Sequence, residues 1–270
     1  MDKNLQLGCC EKVNLSNKFE YKKRPKQEKK FAIKQKYYRR IDLCKNCGHL
    51  FSRHNINLDN IYDDDYIKLT YKNLENLKKT FKKITTLPKN KSDNTKRLKR
   101  ILSFLKKEKK ISIQMSFLDI GSGLGIFPWS IRNFCKKIYC TEVSQKNISF
   151  LKKYLSLETF KNNRIYQLKN KVDFVTINKV LEHISNPNFL LKKIYRILKK
   201  GSYLYIEVPS NLAVRKGKET QEFFIEHHHI FSKQSLKNLL ERNKFKVVKI
   251  SNVIDPSNKY TLFAFVQKIK

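Results

Sequence analysis

The stretch Met115-Ser-Phe-Leu-Asp119-Ile-Gly121-Ser-Gly123-Leu-Gly125-Ile126 decides the fold of this chain. An apolar run ends at Asp119 and opens into a loop that holds three of the seven glycines in the 270-residue sequence. Glycine tolerates left-handed backbone and leaves N–H groups open to a ligand at the carboxyl end of a strand. The stretch predicts a β-strand followed by a loop that binds a nucleotide-like small molecule. A plain turn and another kind of nucleotide site are the alternatives.

The spacing of these glycines differs from that of a dinucleotide site. The G-x-G-x-x-G pattern of such sites requires glycine at position 126, where this chain has Ile126. A second β-rich run, residues 138–142, ends in Glu142. An open α/β fold places a carboxylate at about this distance after the loop, on the hydroxyls of a ribose. The pattern therefore favours a ribose-containing ligand that is not a dinucleotide.

Short apolar runs alternate with helical patterns along the rest of the chain. Residues 172–177 and 203–208 are apolar and short enough for buried strands. Between them, residues 190–198 place five aliphatic side chains on one face of a helix. Strands that alternate with helices predict an α/β fold in which helices cover both faces of a parallel sheet.

Five segments, taken in this order, resemble class I S-adenosylmethionine-dependent methyltransferases of the type associated with sugar and polysaccharide biosynthesis. They are LDIGSGLG at 118–125, VLEHI at 180–184, ILKKG at 197–201, EVPSN at 207–211 and EHHHIFS at 226–232. The resemblance implies a Rossmann-like, doubly wound, mostly parallel sheet of seven strands. It also implies S-adenosyl-L-methionine as the cofactor and methyl transfer as the reaction.

The resemblance also assigns roles to individual residues. The glycine loop lines the methionine and ribose portion of the cofactor, Glu142 accepts hydrogen bonds from the ribose, Val143 lies against the adenine, and Asn178 passes beside the sulfonium. The cofactor-binding set implied in this way is Asp119, Gly121, Gly123, Gly125, Glu142, Val143 and Asn178.

Cysteines form the second informative group. Cys44 and Cys47 stand in a C-x-x-C-G turn, and Cys9 and Cys10 lie upstream. Four thiolates can hold a structural Zn²⁺ tetrahedrally, and the family that the chain resembles often has such a module before the catalytic domain. Because Cys9 and Cys10 are adjacent, His49 or His54 is an alternative for one of them. Free thiols without zinc and a redox pair also remain open.

The predicted domain organisation follows from these motifs. Residues 1–65 form a small cysteine-containing, zinc-knuckle-like module, 66–95 a connecting segment with a helix over 71–84, and 96–270 the methyltransferase domain that begins with a helix over 96–107. The N-terminus has no apolar signal region, and no apolar run reaches the length of a membrane span. A cytoplasmic location is the expectation.

The net charge of +36 raises the question of nucleic acid. The excess is spread over the whole chain, and about four lysines stand for each arginine, although arginine makes the better bidentate contacts to phosphates and bases. A generally basic surface is the favoured interpretation, with nucleic acid possible. Such a surface also suits an anionic acceptor such as a nucleotide sugar.

Histidines are the candidate bases for a hydroxyl acceptor, because methyl transfer to oxygen requires removal of a proton. His227, preceded by Glu226, is the first candidate, and His183 is the second. In an extended segment, His227 and His229 share a side while His228 points away.

Some sugar C-methyltransferases have a Tyr-x-Glu-His group at this place, but this chain has Phe224 at its first position. O-methylation of a sugar or glycan precursor is therefore the preferred function. An RNA methyltransferase and a non-catalytic cofactor-binding or zinc scaffold protein are the alternatives.

Overall fold

A computed structural model describes residues 10, 13–28, 36–54, 56, 74–108, 110, 112–169 and 171–269. The described chain forms two β-sheets and six α-helices, with short 3-10 segments between them. The strands are β1 (Leu15–Tyr21), β2 (Arg39–Cys44), β3 (Leu50–Arg53), β4 (Ser116–Ile120), β5 (Lys137–Glu142), β6 (Glu158–Lys161), β7 (Val172–Asn178), β8 (Leu198–Pro209), β9 (His229–Ile230), β10 (Phe245–Ile254) and β11 (Tyr260–Lys268). The α-helices are α1 (Leu74–Thr85), α2 (Asp93–Lys107), α3 (Ile126–Ile131), α4 (Gln145–Lys153), α5 (Pro187–Ile197) and α6 (Lys233–Arg242).

The larger sheet has seven strands in the order β10-β11-β8-β7-β4-β5-β6. Strands β4 to β8 pair in parallel, and the two final strands, β11 and β10, add in antiparallel fashion. This arrangement confirms the predicted α/β fold with a mostly parallel seven-stranded sheet. The chain winds outward from β4 through β5 to β6 and then returns to β7 on the other side. The direction of winding therefore reverses between β4 and β7, where an open α/β sheet forms its ligand crevice.

Helices cover both faces of this sheet. Phe81 of α1, Phe104 of α2 and Phe150 of α4 pack on one face, and Leu191 of α5 and Leu236 of α6 pack on the other. Central strands that are buried on both sides have no polar face to present, which explains the nearly continuous apolar runs in β7 and β8. The crevice at the carboxyl ends of β4 and β7 is thereby held on a rigid core.

The connecting segment predicted for residues 66–95 contains α1. Residues 66–73 of this segment lie outside the described residues. Leu77 and Phe81 of α1 are buried in the core of the seven-stranded domain. Helix α2 begins at Asp93, because the Ser92 hydroxyl accepts a hydrogen bond from the Thr95 N–H and caps the helix. The described end of the segment is thus packed on the domain.

The smaller sheet has the order β1-β2-β3-β9 and is antiparallel. Its fourth strand, β9, comes from the segment between β8 and α6, so that Leu50 pairs with Ile230 and Phe51 with His229. The N-terminal strands are therefore joined to the second half of the chain by a continuous ladder of hydrogen bonds. Within the described ranges, no helix is both long and apolar enough to cross a bilayer.

Candidate active site

The glycine loop follows β4 at the crevice. Gly121, Gly123 and Gly125 have φ angles of 68°, 54° and 72°, a left-handed conformation that costs any other L-residue roughly 1–2 kcal/mol. The loop is fixed to the next strand because the N–H groups of Gly121 and Ser122 both donate to the Thr141 carbonyl at 3.0 Å. The sequence-predicted strand and loop are confirmed.

Space around the three glycines is not equal. A Cβ at Gly121 would lie 2.5 Å from Val180 Cγ2, and one at Gly125 would lie 2.5 Å from Leu151 Cδ2. At Gly123 the nearest atom to such a Cβ is Glu142 Oε1, at 4.0 Å. Gly121 and Gly125 therefore allow close packing inside the protein, whereas Gly123 faces open space in which a ligand can approach the backbone.

Glu142 ends β5 beside the glycine loop. Its carboxylate accepts hydrogen bonds from the N–H groups of Gly123 and Val143, at 2.5 and 2.9 Å. Burial raises the pKa of this carboxyl group, and the N–H donors oppose the rise. Val143 follows with 52% of its surface exposed, so that an apolar side chain stands at the surface directly beside a buried carboxylate.

Asp119 lies at the end of β4, opposite β7. Its Oδ1 accepts hydrogen bonds from the Thr176 hydroxyl and from Asn178 Nδ2, at 2.5 and 2.9 Å. Burial raises the pKa of Asp119 to about 6. The Asn178 amide is thereby oriented, and its Oδ1 is buried with no hydrogen-bond partner among the described residues. This arrangement leaves one buried acceptor at the crevice.

Three side chains meet on the other side of the crevice. Val180, which contacts Gly121, leads into a 3-10 turn, Leu181–His183. The rings of His183 and His227 lie with centroids 4.7 Å apart, and one ligand-type atom from each ring and one carboxylate oxygen of Glu182 all lie within 4.8 Å of one another. The predicted candidates His183 and His227 are therefore neighbours in space.

Both imidazoles have a defined tautomer. His227 Nδ1 lies 2.9 Å from the Glu222 carbonyl, and His183 Nδ1 lies 2.9 Å from the Glu226 carbonyl. Because a carbonyl oxygen only accepts, Nδ1 carries the proton in each ring, and in the neutral form of each ring Nε2 carries the lone pair. Burial, followed by the proximity of His183, lowers the pKa of His227 well below its ordinary value. His227 is therefore neutral at pH 7.

Comparison with known protein families shows to which family the chain belongs. A sequence profile described as a methyltransferase domain matches residues 76–250, more than half of the chain. The chain belongs to this methyltransferase family. It is an S-adenosylmethionine-dependent methyltransferase by that membership. The sequence has no significant match among curated proteins.

Solved structures show the same fold at low sequence identity. The CMeT domain of the citrinin polyketide synthase is 13% identical with a TM-score of 0.57, and the alignment covers 76% of this chain and 59% of that one. A SAM-dependent methyltransferase from Methanosarcina mazei is 18% identical with a TM-score of 0.50, covering 60% and 96%. The [4+2]-cyclase SpnF is 13% identical with a TM-score of 0.50, covering 63% and 80%. At these identities the likeness concerns the fold alone.

The histidine triplet of the methyltransferase does not follow the expected alternation. Only His229 lies in β9, because His227 has no regular secondary structure and His228 forms a bend. His227 therefore meets His183, while His229 Nδ1 lies 3.4 Å from His49 Nε2. His228 stacks on His54 with centroids 6.2 Å apart. The prediction that His227 and His229 share a side is therefore wrong, because the backbone bends at His228 instead of being extended.

Sequence reasoning missed two residues of the methyltransferase crevice. Glu182 is 1% exposed, and burial raises its pKa to about 7. Lys179 has a left-handed φ of 57° at the end of β7, and its ammonium donates to the Thr261 hydroxyl at 2.5 Å. The acid–histidine pair in VLEHI was a visible signal for Glu182. The strain at Lys179 has no sequence signal.

Three of the four predicted zinc ligands of the methyltransferase lie together. The Sγ atoms of Cys10, Cys44 and Cys47 are all within 4.8 Å of one another, and those of Cys10 and Cys44 are 3.7 Å apart. Burial acts to raise the pKa of Cys44, but backbone N–H groups led by that of Cys47 lower it to about 7. The fourth predicted ligand, Cys9, lies outside the described residues.

The two histidines considered as substitutes lie elsewhere. His49 contacts Ser235 and His229, and His54 Nδ1 contacts the Ile56 carbonyl. The cysteine turn is docked on the second half of the chain, because the Ser232 hydroxyl donates to the Cys47 carbonyl and Asn211 Nδ2 donates to the Gly48 carbonyl at 3.1 Å.

Proposed function

We propose that this methyltransferase transfers a methyl group to a hydroxyl oxygen of a sugar or glycan precursor in the cytoplasm. The observation that carries the proposal is the pair His183 and His227. Each ring donates its Nδ1–H to a backbone carbonyl and so presents an Nε2 lone pair. A hydroxyl acceptor must lose its proton when its oxygen takes the methyl group, and these lone pairs supply the basic electron pairs that the step requires.

The crevice fits S-adenosylmethionine as the donor. We propose that the backbone at Gly121, Gly123 and Gly125 supports the methionine and ribose portion, where the open space at Gly123 admits the ligand. The carboxylate of Glu142 and the unpartnered Oδ1 of Asn178 are acceptors for its hydroxyl and ammonium groups. The donor supplies an activated methyl group on sulfur.

Two further residues complete the proposed donor site. The exposed Val143 offers an apolar surface to the adenine ring. Asp119 orients Asn178 through the hydrogen bond that it accepts from the amide. All other work of the protein is to hold donor and acceptor in line and to exclude water.

The acceptor side also includes Glu226, which is buried next to His227 in the sequence. We propose that Glu226 positions the histidine pair, because its carbonyl holds His183 in the required tautomer. An anionic acceptor, such as a nucleotide sugar, fits the strongly basic chain. The segment 178–181, Asn-Lys-Val-Leu, lacks the Asn-Pro-Pro-aromatic sequence common in methyltransferases that act on base amino groups.

We also propose that Cys9, Cys10, Cys44 and Cys47 bind a structural Zn²⁺. A tetrahedral zinc with Zn–S bonds of about 2.3 Å separates its sulfur ligands by about 3.8 Å. The 3.7 Å between the Sγ atoms of Cys10 and Cys44 supports this site. The lowered pKa of Cys44 favours the thiolate that a metal requires.

The test is a methyl-transfer assay with labelled S-adenosylmethionine against nucleotide sugars, lipid-linked glycans and RNA. We expect methylation of a sugar hydroxyl, with a rate that falls by about 10²- to 10⁴-fold in His227→Asn and His183→Asn. Asparagine keeps a donor near the position of Nδ1 but has no Nε2 lone pair, and His228→Asn is the matched control in the same segment. Transfer to RNA with strong salt dependence, or full activity in both variants, would contradict the proposal.

A further inference from the structure

The group formed by Glu182, His183 and His227 has the composition of a metal site. One ligand atom from each side chain lies within 4.8 Å of the other two. A metal with bonds of about 2.0–2.2 Å to nitrogen and oxygen holds its ligands roughly 3–4 Å apart. A small movement of the side chains is enough to bring all three onto one ion. Two imidazoles and one carboxylate are a ligand set known for Zn²⁺ and other divalent transition metals.

The surroundings of the two imidazoles match those of metal ligands. Histidines that bind a metal through one nitrogen almost always donate the other N–H to a carbonyl or carboxylate, which fixes the ring. His183 and His227 both do so, each through Nδ1 to a backbone carbonyl at 2.9 Å. The two carbonyls, of Glu226 and Glu222, belong to one short segment. A single stretch of backbone therefore orients both Nε2 lone pairs.

Glu182 provides an independent sign of a cation site. Its side chain is buried, and its Oε2 has no hydrogen-bond partner among the described residues. A buried carboxylate oxygen without a donor is costly. The strongest favourable charge effect on Glu182 comes from Lys179, whose ammonium donates to Thr261. A divalent ion would satisfy the unpartnered oxygen directly.

We propose that Glu182, His183 and His227 bind one divalent transition-metal ion, whose remaining coordination positions receive the acceptor hydroxyl. The proposal rests on the proposed function and changes one part of it: the histidine lone pairs bind the ion, which activates the acceptor hydroxyl, instead of taking up its proton directly. The ion lowers the pKa of the hydroxyl that it binds. The hydroxyl proton leaves to water, an O–CH₃ bond forms, and the S–CH₃ bond of the sulfonium breaks to leave a neutral thioether. Atoms and charge balance without any oxidant or reductant.

The test measures metal binding and needs no acceptor, so it remains decisive if the sugar assay fails. The full-length protein is dialysed against a chelator and titrated with Co²⁺, with absorption spectra and calorimetry as readouts. We expect two ions per chain, one with the near-ultraviolet thiolate band of the cysteine cluster and one without it. Mn²⁺, which prefers oxygen and nitrogen to sulfur, is expected to bind at only one of the two sites.

Variants of two of the proposed ligands test whether these side chains bind the ion. Glu182→Gln and His227→Asn are expected to lose the ion without a thiolate band and to weaken Mn²⁺ binding at least about 100-fold. His228→Asn, from the same segment, keeps both ions. If a variant does not fold, broadening of histidine NMR signals by Mn²⁺ in the wild type replaces it. Absence of the ion without a thiolate band, its retention in both variants, or unbroadened His183 and His227 signals would overturn the proposal.

Discussion

Replacement of Gly123 by alanine separates the cofactor site from the stability of the fold. The left-handed φ of 54° at Gly123 makes any side chain there strained, by roughly 1–2 kcal/mol. For a chain of this size that corresponds to a decrease in Tm of about 2–8 °C. Apart from its two chain neighbours, no atom of the described residues lies closer than 4.0 Å to the new Cβ, so overpacking against this part of the protein adds nothing. The methyl group instead enters the space proposed for the donor.

The matched control is Gly201→Ala. Gly201 also has a left-handed φ, 76°, and a Cβ there meets no atom within 4 Å in the part of the chain that the structure describes, its chain neighbours aside. Both variants therefore carry the same kind of strain, and only Gly123→Ala meets the ligand. A clash of about 1–3 kcal/mol with the bound donor weakens binding by about 5- to 150-fold.

Calorimetry with S-adenosylmethionine and S-adenosylhomocysteine measures this difference, with thermal unfolding of the same samples as the check on the fold. We expect similar Tm values for the two variants and a weaker affinity in Gly123→Ala alone. Equal affinities in the two variants, at wild-type strength, would refute the placement of the donor over Gly123.

Three other predictions concern stability. Cys44→Ser should abolish zinc binding, as measured by metal analysis. It should also lower Tm by about 10 °C, the effect of losing a ligand whose free concentration is about 1,000 times its Kd. Cys135→Ser, at a buried cysteine outside the cluster, should keep the zinc. Burial acts to raise the pKa of the Glu207 carboxyl group, but the positive charges near it, that of Arg97 first, lower the pKa from 4.5 to about 2. The stability that the ion pair of Glu207 with Arg97 contributes is present above pH 4.5 and is lost as the pH falls towards 2. Glu207→Gln should therefore be less stable than the wild type by about 3–5 kcal/mol at pH 7. This difference in the free energy of unfolding, measured with urea, should narrow as the pH falls from 4.5 towards 2. A difference that stays constant would contradict a stabilising ion pair between Glu207 and Arg97. Ser232→Ala should lower the free energy of unfolding by about 2 kcal/mol, because it removes a helix cap and the hydrogen bond to the Cys47 carbonyl. Ser92→Ala, which removes only a helix cap, should lower it by about 1 kcal/mol. Equal losses in the two variants would show that the hydrogen bond to Cys47 adds no stability.

The parts of the fold that the sequence predicts are those with a strong local signal. The glycine loop, the acid at the end of β5 and the apolar runs of β7 and β8 are each visible within about ten residues, and each lies where the pattern indicates. These elements face the central crevice, and burial on both sides of the sheet leaves little freedom in their composition. The order of motifs along the chain then implies the topology.

Contacts between distant segments have no such signal. The pairing of β3 with β9 involves only two residues of β9, too few to produce an alternating pattern. The meeting of His183 with His227 accompanies a bend at His228, in a stretch, residues 225–229, that contains neither glycine nor proline. Expecting an extended segment there gave the wrong partner for His227. Tertiary packing, rather than local preference, sets the geometry of the acceptor side.

The two-residue strand β9 has a consequence for how the protein is made. On the ribosome, the sheet that begins at Leu15 stays one strand short until Ile230 has emerged, after all five parallel strands of the larger sheet. Until then β3 is an open edge with unpaired backbone groups, the kind of surface on which nascent chains associate wrongly. A fragment ending before residue 229 should therefore aggregate, and β1 to β3 should acquire their protection from proteases only when β9 has been added.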